Sequence, residues 1–176
     1  MKHFLDIDNY NKRELRKILY FSKKLKKNQS KYSSLLKNHS LGLIFEKQST
    51  RTRLSFSIGM QKLGGNVIEL DMKKIGFGKR ESPSDILKVM SQYLDIVMIR
   101  NNNHEQLIKL SSLNVLPIIN GLSNFSHPCQ ILSDVFTIEE NIGNIENKKI
   151  IWMGDVNNVL VSLIQAAEIF KFGLKI

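Results

Sequence analysis

Short apolar runs alternate with helix-patterned stretches over most of this sequence, and few folds accommodate that order. Residues 41–45 (LGLIF), 66–71 (NVIELD), 96–100 (IVMIR), 115–120 (VLPIIN), 149–154 (KIIWMG) and 174–176 read as strands. Between them, residues 52–63 read as a helix closed by Gly64 and Gly65, and Ser82 with Pro83 opens a helix reaching about Tyr93. Residues 104–112, 128 to about 141, and 158–170 carry further helical patterns. An amphipathic helix precedes them all at residues 8–27, where Leu15, Ile18, Leu19, Ser22 and Leu25 recur at three- and four-residue spacing. Strands this rich in Ile, Val and Leu, each followed by a helix, predict the α/β class: a parallel sheet flanked by helices and covered on both faces. The polar, turn-rich stretch 141–148 (NIGNIENK) marks a domain boundary, giving one domain over residues 1–143 and the start of a second, a first βαβ unit, over residues 144–176.

Charge and cysteine content narrow the function classes. The net charge of +10 points toward nucleic acid at first sight. Residues 1–40, however, hold 11 of the 26 basic residues against 3 of the 16 acidic ones, so the excess is local to a lysine-rich helix face. No aromatic platform or recognition-helix pattern accompanies it, and no nucleic-acid partner is expected. One cysteine excludes a disulfide framework, and no Cys/His spacing suits a structural zinc, so no metal is expected. No apolar run approaches the about 20 residues of a membrane span, no secretory signal pattern opens the chain, and a cytoplasmic setting without a membrane partner is the expectation.

Arginine use is more telling. Of the 26 basic residues only six are arginines: Arg13, Arg16, Arg51, Arg53, Arg80 and Arg100. A chain that defaults to lysine keeps arginine where a planar fork is needed, as in gripping phosphate or carboxylate. In open parallel sheets ligands bind beyond the carboxyl ends of the strands. There this sequence places Glu46-Lys47-Gln48-Ser49-Thr50-Arg51-Thr52-Arg53, a glycine loop with Lys79 and Arg80, the strand-terminal Arg100, and the segment from Gly121 to Gln130. Ser49, Thr50, Arg51 and Thr52 open a helix, where free backbone N–H groups, hydroxyls and a guanidinium make an anion cradle. The phosphate-loop pattern GxxxxGK[ST] is absent. His127 and Gln130, one turn apart at a helix start, can face one ligand. Cys129 between them reads as a small buried apolar residue, Arg53 as a partner for a carboxylate, and Glu46 as a carboxylate supporting the arginines. Gly154-Asp155-Val156-Asn157-Asn158 carries one glycine and not the GxGxxG fingerprint, so no dinucleotide cofactor is inferred.

Four motifs in order, FEKQSTRTRLSF, the IR closing the third strand, FSHPCQILSDVFTI and IIWMGDVNNVLVSLIQAA, resemble the aspartate/ornithine transcarbamoylase family over the whole chain. HPCQ with GDxNN is nearer its ornithine branch than its aspartate branch. The resemblance implies a carbamoyl-phosphate-binding domain followed by an amino-acid-binding domain, no cofactor, and a homotrimer with sites between subunits. It implies carbamoyl transfer from carbamoyl phosphate to the δ-amine of L-ornithine, giving L-citrulline and phosphate. It assigns the phosphate to Ser49, Thr50, Arg51 and Thr52, and phosphate plus carbonyl oxygen to Arg100. It further gives the carbonyl oxygen to His127, the carbamoyl amino group to Gln130 and the ornithine α-carboxylate to Asn158. Arg51, Arg100 and His127 are then the catalytic set. The sequence departs from the family at Gly76, at Ile86-Leu87 after Asp85, and at Val156. The later motifs of the amino-acid domain have no counterpart. The expectation is a truncated or split product, inactive alone, whose apolar helix 160–170 stands exposed. The alternatives are an aspartate carbamoyltransferase and a non-catalytic carbamoyl-phosphate-binding subunit that needs a partner chain.

Overall fold

The computed structural model describes every residue of the chain except Gln48 and Lys79. It contains a four-stranded, all-parallel sheet built from β1 (Ser40–Phe45), β2 (Asn66–Asp71), β3 (Ile96–Arg100) and β4 (Ile118–Leu122), in the order β2-β1-β3-β4. A separate parallel pair joins β5 (Lys149–Ile151) to β6 (Gly173–Lys175). The helices are α1 (Lys12–Lys27), α2 (Thr50–Lys62), α3 (Pro83–Met90), α4 (His104–Ser112), α5 (Pro128–Ile142) and α6 (Asn158–Phe170).

Period-2 side-chain alternation puts the strand residues into two cores. Ile44, Val97, Ile99 and Ile118 pack with Ile86, Leu87 and Met90 of α3 and Leu107 and Leu110 of α4. Leu41, Leu43, Phe45 and Met98 face the other side, against Met60 of α2. A third core joins Leu15 and Leu19 of α1, Ile131, Leu132 and Val135 of α5, and Leu160, Leu163, Ala166 and Phe170 of α6. Each such fully buried side chain contributes roughly 1.5–3 kcal/mol relative to exposure.

Several expectations change in detail. The edge strand β2 is mostly exposed, with Ile68 open to solvent, so the sheet is not covered on both faces along its whole width. β4 begins at Ile118, because Pro117 has no N–H to give and serves the ladder with its carbonyl alone, accepting from Val97 N at 3.0 Å. α1 begins at Lys12, where Asn11 and Glu14 form a reciprocal capping box. β5 ends at Ile151; Trp152 N still donates to Lys175 O at 2.8 Å, but the chain then bends into the loop with Gly154. The expected exposure of helix 160–170 is found only at Ile164: Leu160, Leu163, Ala166 and Phe170 are buried against α1 and α5, and Ile151, Met153 and Val156 are the other open apolar residues nearby. One element was not foreseen. Phe4 bridges in parallel to Ile119, extending the sheet beyond β4 through Phe4 N to Ile118 O and Asn120 N to Phe4 O, both 2.8 Å.

Candidate functional site

The strand order reverses direction at β1 and β3, and the crevice beyond the carboxyl ends of those strands is where such sheets bind ligands. A hollow of about 750 Å3 lies there. Ser49, Thr50, Arg51 and Thr52 line it from the start of α2, Arg100 from the end of β3, Gly121 and Leu122 from β4, and His127, Cys129, Gln130, Ser133 and Asp134 from the start of α5. Seven of the eight site residues read from the sequence therefore share one cavity. Asn158 is the exception: its Nδ2 donates to the Ser123 carbonyl at 2.6 Å, and it does not line the hollow. Ser55, Phe56, Leu122, Ser133, Asp134 and Val159 line it without having been singled out. For Asp134 a signal existed, since it stands one turn beyond Gln130 on the same helix.

Local backbone geometry aims these groups. Ser49 is extended at the N-cap of α2 and its hydroxyl makes no capping bond, so it stays available at the helix mouth. The β3–β4 register shifts at the end of β3: Ile99 pairs with Asn120, while Arg100 pairs with Leu122. Such an irregularity re-aims the side chain beside it. Leu122 pays for it with a φ of 155°, a region L residues rarely adopt, and strain of this kind gathers at ligand sites. Gly121 permits the close approach: a Cβ there would lie 2.1 Å from Met98 Sδ. Arg100 Nη1 donates to Thr52 Oγ1 at 2.9 Å, linking strand end to helix start.

The loop before α5 is held from below. Asn120 Nδ2 donates to Leu5 O at 2.9 Å and to Ser126 Oγ at 3.0 Å. His104 lies between Asp6 (Nε2–Oδ2, 3.0 Å) and Ser123 (Nδ1–Oγ, 2.8 Å). That trio has the order of a hydrolytic triad, but Ser123 is fully buried, so it can anchor a loop and cannot reach a substrate. His127 N donates to Ser162 Oγ at 2.9 Å, tying the loop to α6.

The electrostatics favour an anion. Among the described residues neither Arg51 nor Arg100 has a carboxylate partner. Burial, then the repulsion of neighbouring Arg51, lowers the Arg100 pKa; both guanidiniums line the one hollow, where a bound anion would relieve that repulsion. Burial, then Arg100, pushes the His127 imidazole down to about 4. His127 is thus neutral at pH 7, and its buried Nδ1 has no hydrogen-bond partner among the described residues. Burial raises the Asp134 carboxyl, with Gln130 pulling the other way. Cys129 is only partly exposed, its sulfur is the enclosed part, and Sγ donates to Asn120 O at 3.5 Å; burial pushes the thiol up to about 12, which removes it as a nucleophile.

Three neighbours serve elsewhere. Arg53 pairs with Glu69 at 3.0 Å and lies over the Phe45 ring, as expected of a structural arginine. Glu46 does not support the arginines: its Oε2 accepts from Asn102 N at 2.7 Å and pins the turn after β3. Arg80 lines no part of the hollow, and the expectations for Gln48 and Lys79 lie outside the described residues. Among the described residues no cluster of His, Cys, Asp and Glu suits a metal ion, and no helix is long and apolar enough to cross a membrane.

Comparison with known proteins agrees with this geometry. Residues 2–140 match the family model described as aspartate/ornithine carbamoyltransferase, carbamoyl-P binding domain. The chain is 44% identical to an ornithine carbamoyltransferase of Rhodopseudomonas palustris (strain BisA53), aligned over 99% of this chain and 58% of that protein. It is 43% identical to one from Brucella ovis, over 100% of this chain and 57% of the relative. The crystal structure of ornithine carbamoyltransferase from Burkholderia thailandensis E264 superposes with a TM-score of 0.93 at 37% identity, covering 99% of this chain and 61% of that one. The Thermus thermophilus enzyme gives 0.92 at 34% identity, over 99% and 60%. The chain spans somewhat more than half the length of the curated relatives it matches. A parallel sheet with an anion hollow at its switch point, matched over residues 2–140, places this chain in the aspartate/ornithine carbamoyltransferase family.

Proposed function

We propose that this chain supplies the carbamoyl-phosphate side of an ornithine carbamoyltransferase, the reaction being carbamoyl transfer to the δ-amine of L-ornithine with release of L-citrulline and phosphate. The observation that carries this reading is the convergence of Ser49, Thr50, Arg51, Thr52, Arg100, His127 and Gln130 on one hollow. Residues 1–143 form the carbamoyl-phosphate-binding domain, and residues 144–176 belong to the ornithine-binding part. The working assembly is a homotrimer, and the setting is cytoplasmic.

The chemistry follows from the residues. A neutral amine attacks the carbamoyl carbon, and negative charge grows on its oxygen. Arg100 and the neutral His127 donate to that oxygen. Ser49, Thr50, Arg51 and Thr52 hold the phosphate as it leaves. Preorganised donors of this kind lower the barrier by about 3–4 kcal/mol each. Holding two substrates together provides much of the remainder. The departing phosphate accepts the amine's proton, so no side-chain base is required, and the step balances without a metal or an organic cofactor.

Calorimetry of the full chain with carbamoyl phosphate tests the first half of the proposal. Each of Arg51→Ala and Arg100→Ala should weaken binding about 10- to 100-fold, the value of a charge-assisted hydrogen bond. Equal affinity in wild type and variants would sink the reading. A second reading, a non-catalytic carbamoyl-phosphate-binding subunit, is favoured by one observation: the Asn158 amide is engaged with Ser123 O and not turned to the hollow. A phosphonoacetyl-ornithine bisubstrate analogue separates the two. Tighter binding than carbamoyl phosphate supports the transferase; no gain supports the subunit.

A further inference from the structure

Gln130 and Asp134 stand four residues apart on α5 and both line the hollow. Gln130 Nε2 donates to Asp134 Oδ1 at 2.8 Å. A carboxylate only accepts, so this bond fixes which end of the Gln130 carboxamide faces Asp134. The torsion that turns a Gln amide is soft and nearly two-fold, so nothing intrinsic to Gln130 chooses between its oxygen and its nitrogen. Asp134 takes one of the two Nε2 hydrogens and so sets which way the amide lies; Oε1, its one acceptor, is then on the opposite side, and among the described residues none donates to it. An oxygen at that place accepts from an amino group and gains nothing from a methyl group. Asp134 itself pairs with no cation among the described residues. A carboxylate on the wall of an anion hollow opposes phosphate binding, so its place there calls for a second job.

We propose that Asp134 is a positioning residue that locks the Gln130 amide oxygen toward the ligand and so makes the hollow select an acyl phosphate bearing an amino group over one bearing a methyl group. The inference rests on the functional reading above, since it takes Gln130 to meet the carbamoyl nitrogen.

The test is calorimetry on the full chain with three probes: carbamoyl phosphate, acetyl phosphate and inorganic phosphate. Wild type should prefer carbamoyl over acetyl phosphate by about tenfold or more, the value of one hydrogen bond made or left unmade. Asp134→Asn replaces an acceptor by a group that can also donate, so the amide can turn over; the preference should fall to within about twofold of unity. Inorganic phosphate affinity should not fall, because a negative charge has been removed from the wall. Asp134→Ala should behave alike, and unchanged thermal melting of either variant removes misfolding as a cause. A wild-type preference retained in both variants overturns the proposal, as does a proportional loss of all three ligands. Equal wild-type binding of carbamoyl and acetyl phosphate also overturns it while leaving the anion site standing. Failure of wild type to bind any of the three sinks the functional reading and this one with it.

Discussion

His127 is the residue whose charge state the fold controls most visibly. Its pKa falls from 6.5 to about 4, first by burial and then by the Arg100 charge. The unfolded chain therefore binds a proton between those values that the folded chain refuses. Stability should rise with pH from about 4 to 6.5, and is lost as pH falls through that window. The effect is on the order of 1–2 kcal/mol once the ring's partial exposure is allowed for. Proton NMR should show His127 titrating near 4, and His127→Gln should flatten the pH–stability slope. A midpoint near 6.5 would contradict the burial argument. Arg51, Arg100 and His127 were legible in the sequence because each lies at or beyond the carboxyl end of an apolar strand, where such sheets gather ligand groups. Asp134 was not singled out: its offset of one turn from Gln130 was the one signal, and it marks a site residue only once the cavity beside both is seen.

The end of β4 carries more of the site than its sequence suggests. Gly121 lies tight against Met98, right beside the register shift at Arg100 and the strained Leu122. Gly121→Ala should cost about 1–3 kcal/mol in urea denaturation, as overpacking does, and should weaken phosphate binding as well, because β4 moves with Arg100 beside it. A stability loss with unchanged phosphate affinity would separate the strand from the site. Element types were legible here because short continuous apolar runs alternate with helix-patterned stretches. The shift of β4 to Ile118 was not, because VLPIIN is apolar throughout and the missing Pro117 donor acts only once a neighbouring strand needs it. The exposed face of β2 was equally hidden: NVIELD carries enough apolar residues to pass as a covered strand.

Across the whole molecule, α1 at one end of the sequence and α6 at the other share a core with α5. Amphipathic patterns predict that a helix buries a face, not which partner receives it, so this association was beyond the sequence. Phe170 is fully buried there, beneath the Arg16 guanidinium at 4.8 Å from its ring. Phe170→Ala should cost about 3–5 kcal/mol, and hydrogen exchange should quicken in α1 as well as α6. Protection lost in α6 alone would mean two independent units. The Phe4 bridge has a consequence for how the protein is made. Phe4 and Leu5 leave the ribosome early, yet Asn120, whose amide grips Leu5 O, is translated 115 positions later. Until then the opening segment has no strand to join, and closing so long a loop falls late in assembly. A nascent chain paused before β4 would hold four of its six helices and three of the four sheet strands, with the seam that receives Phe4 still unsewn.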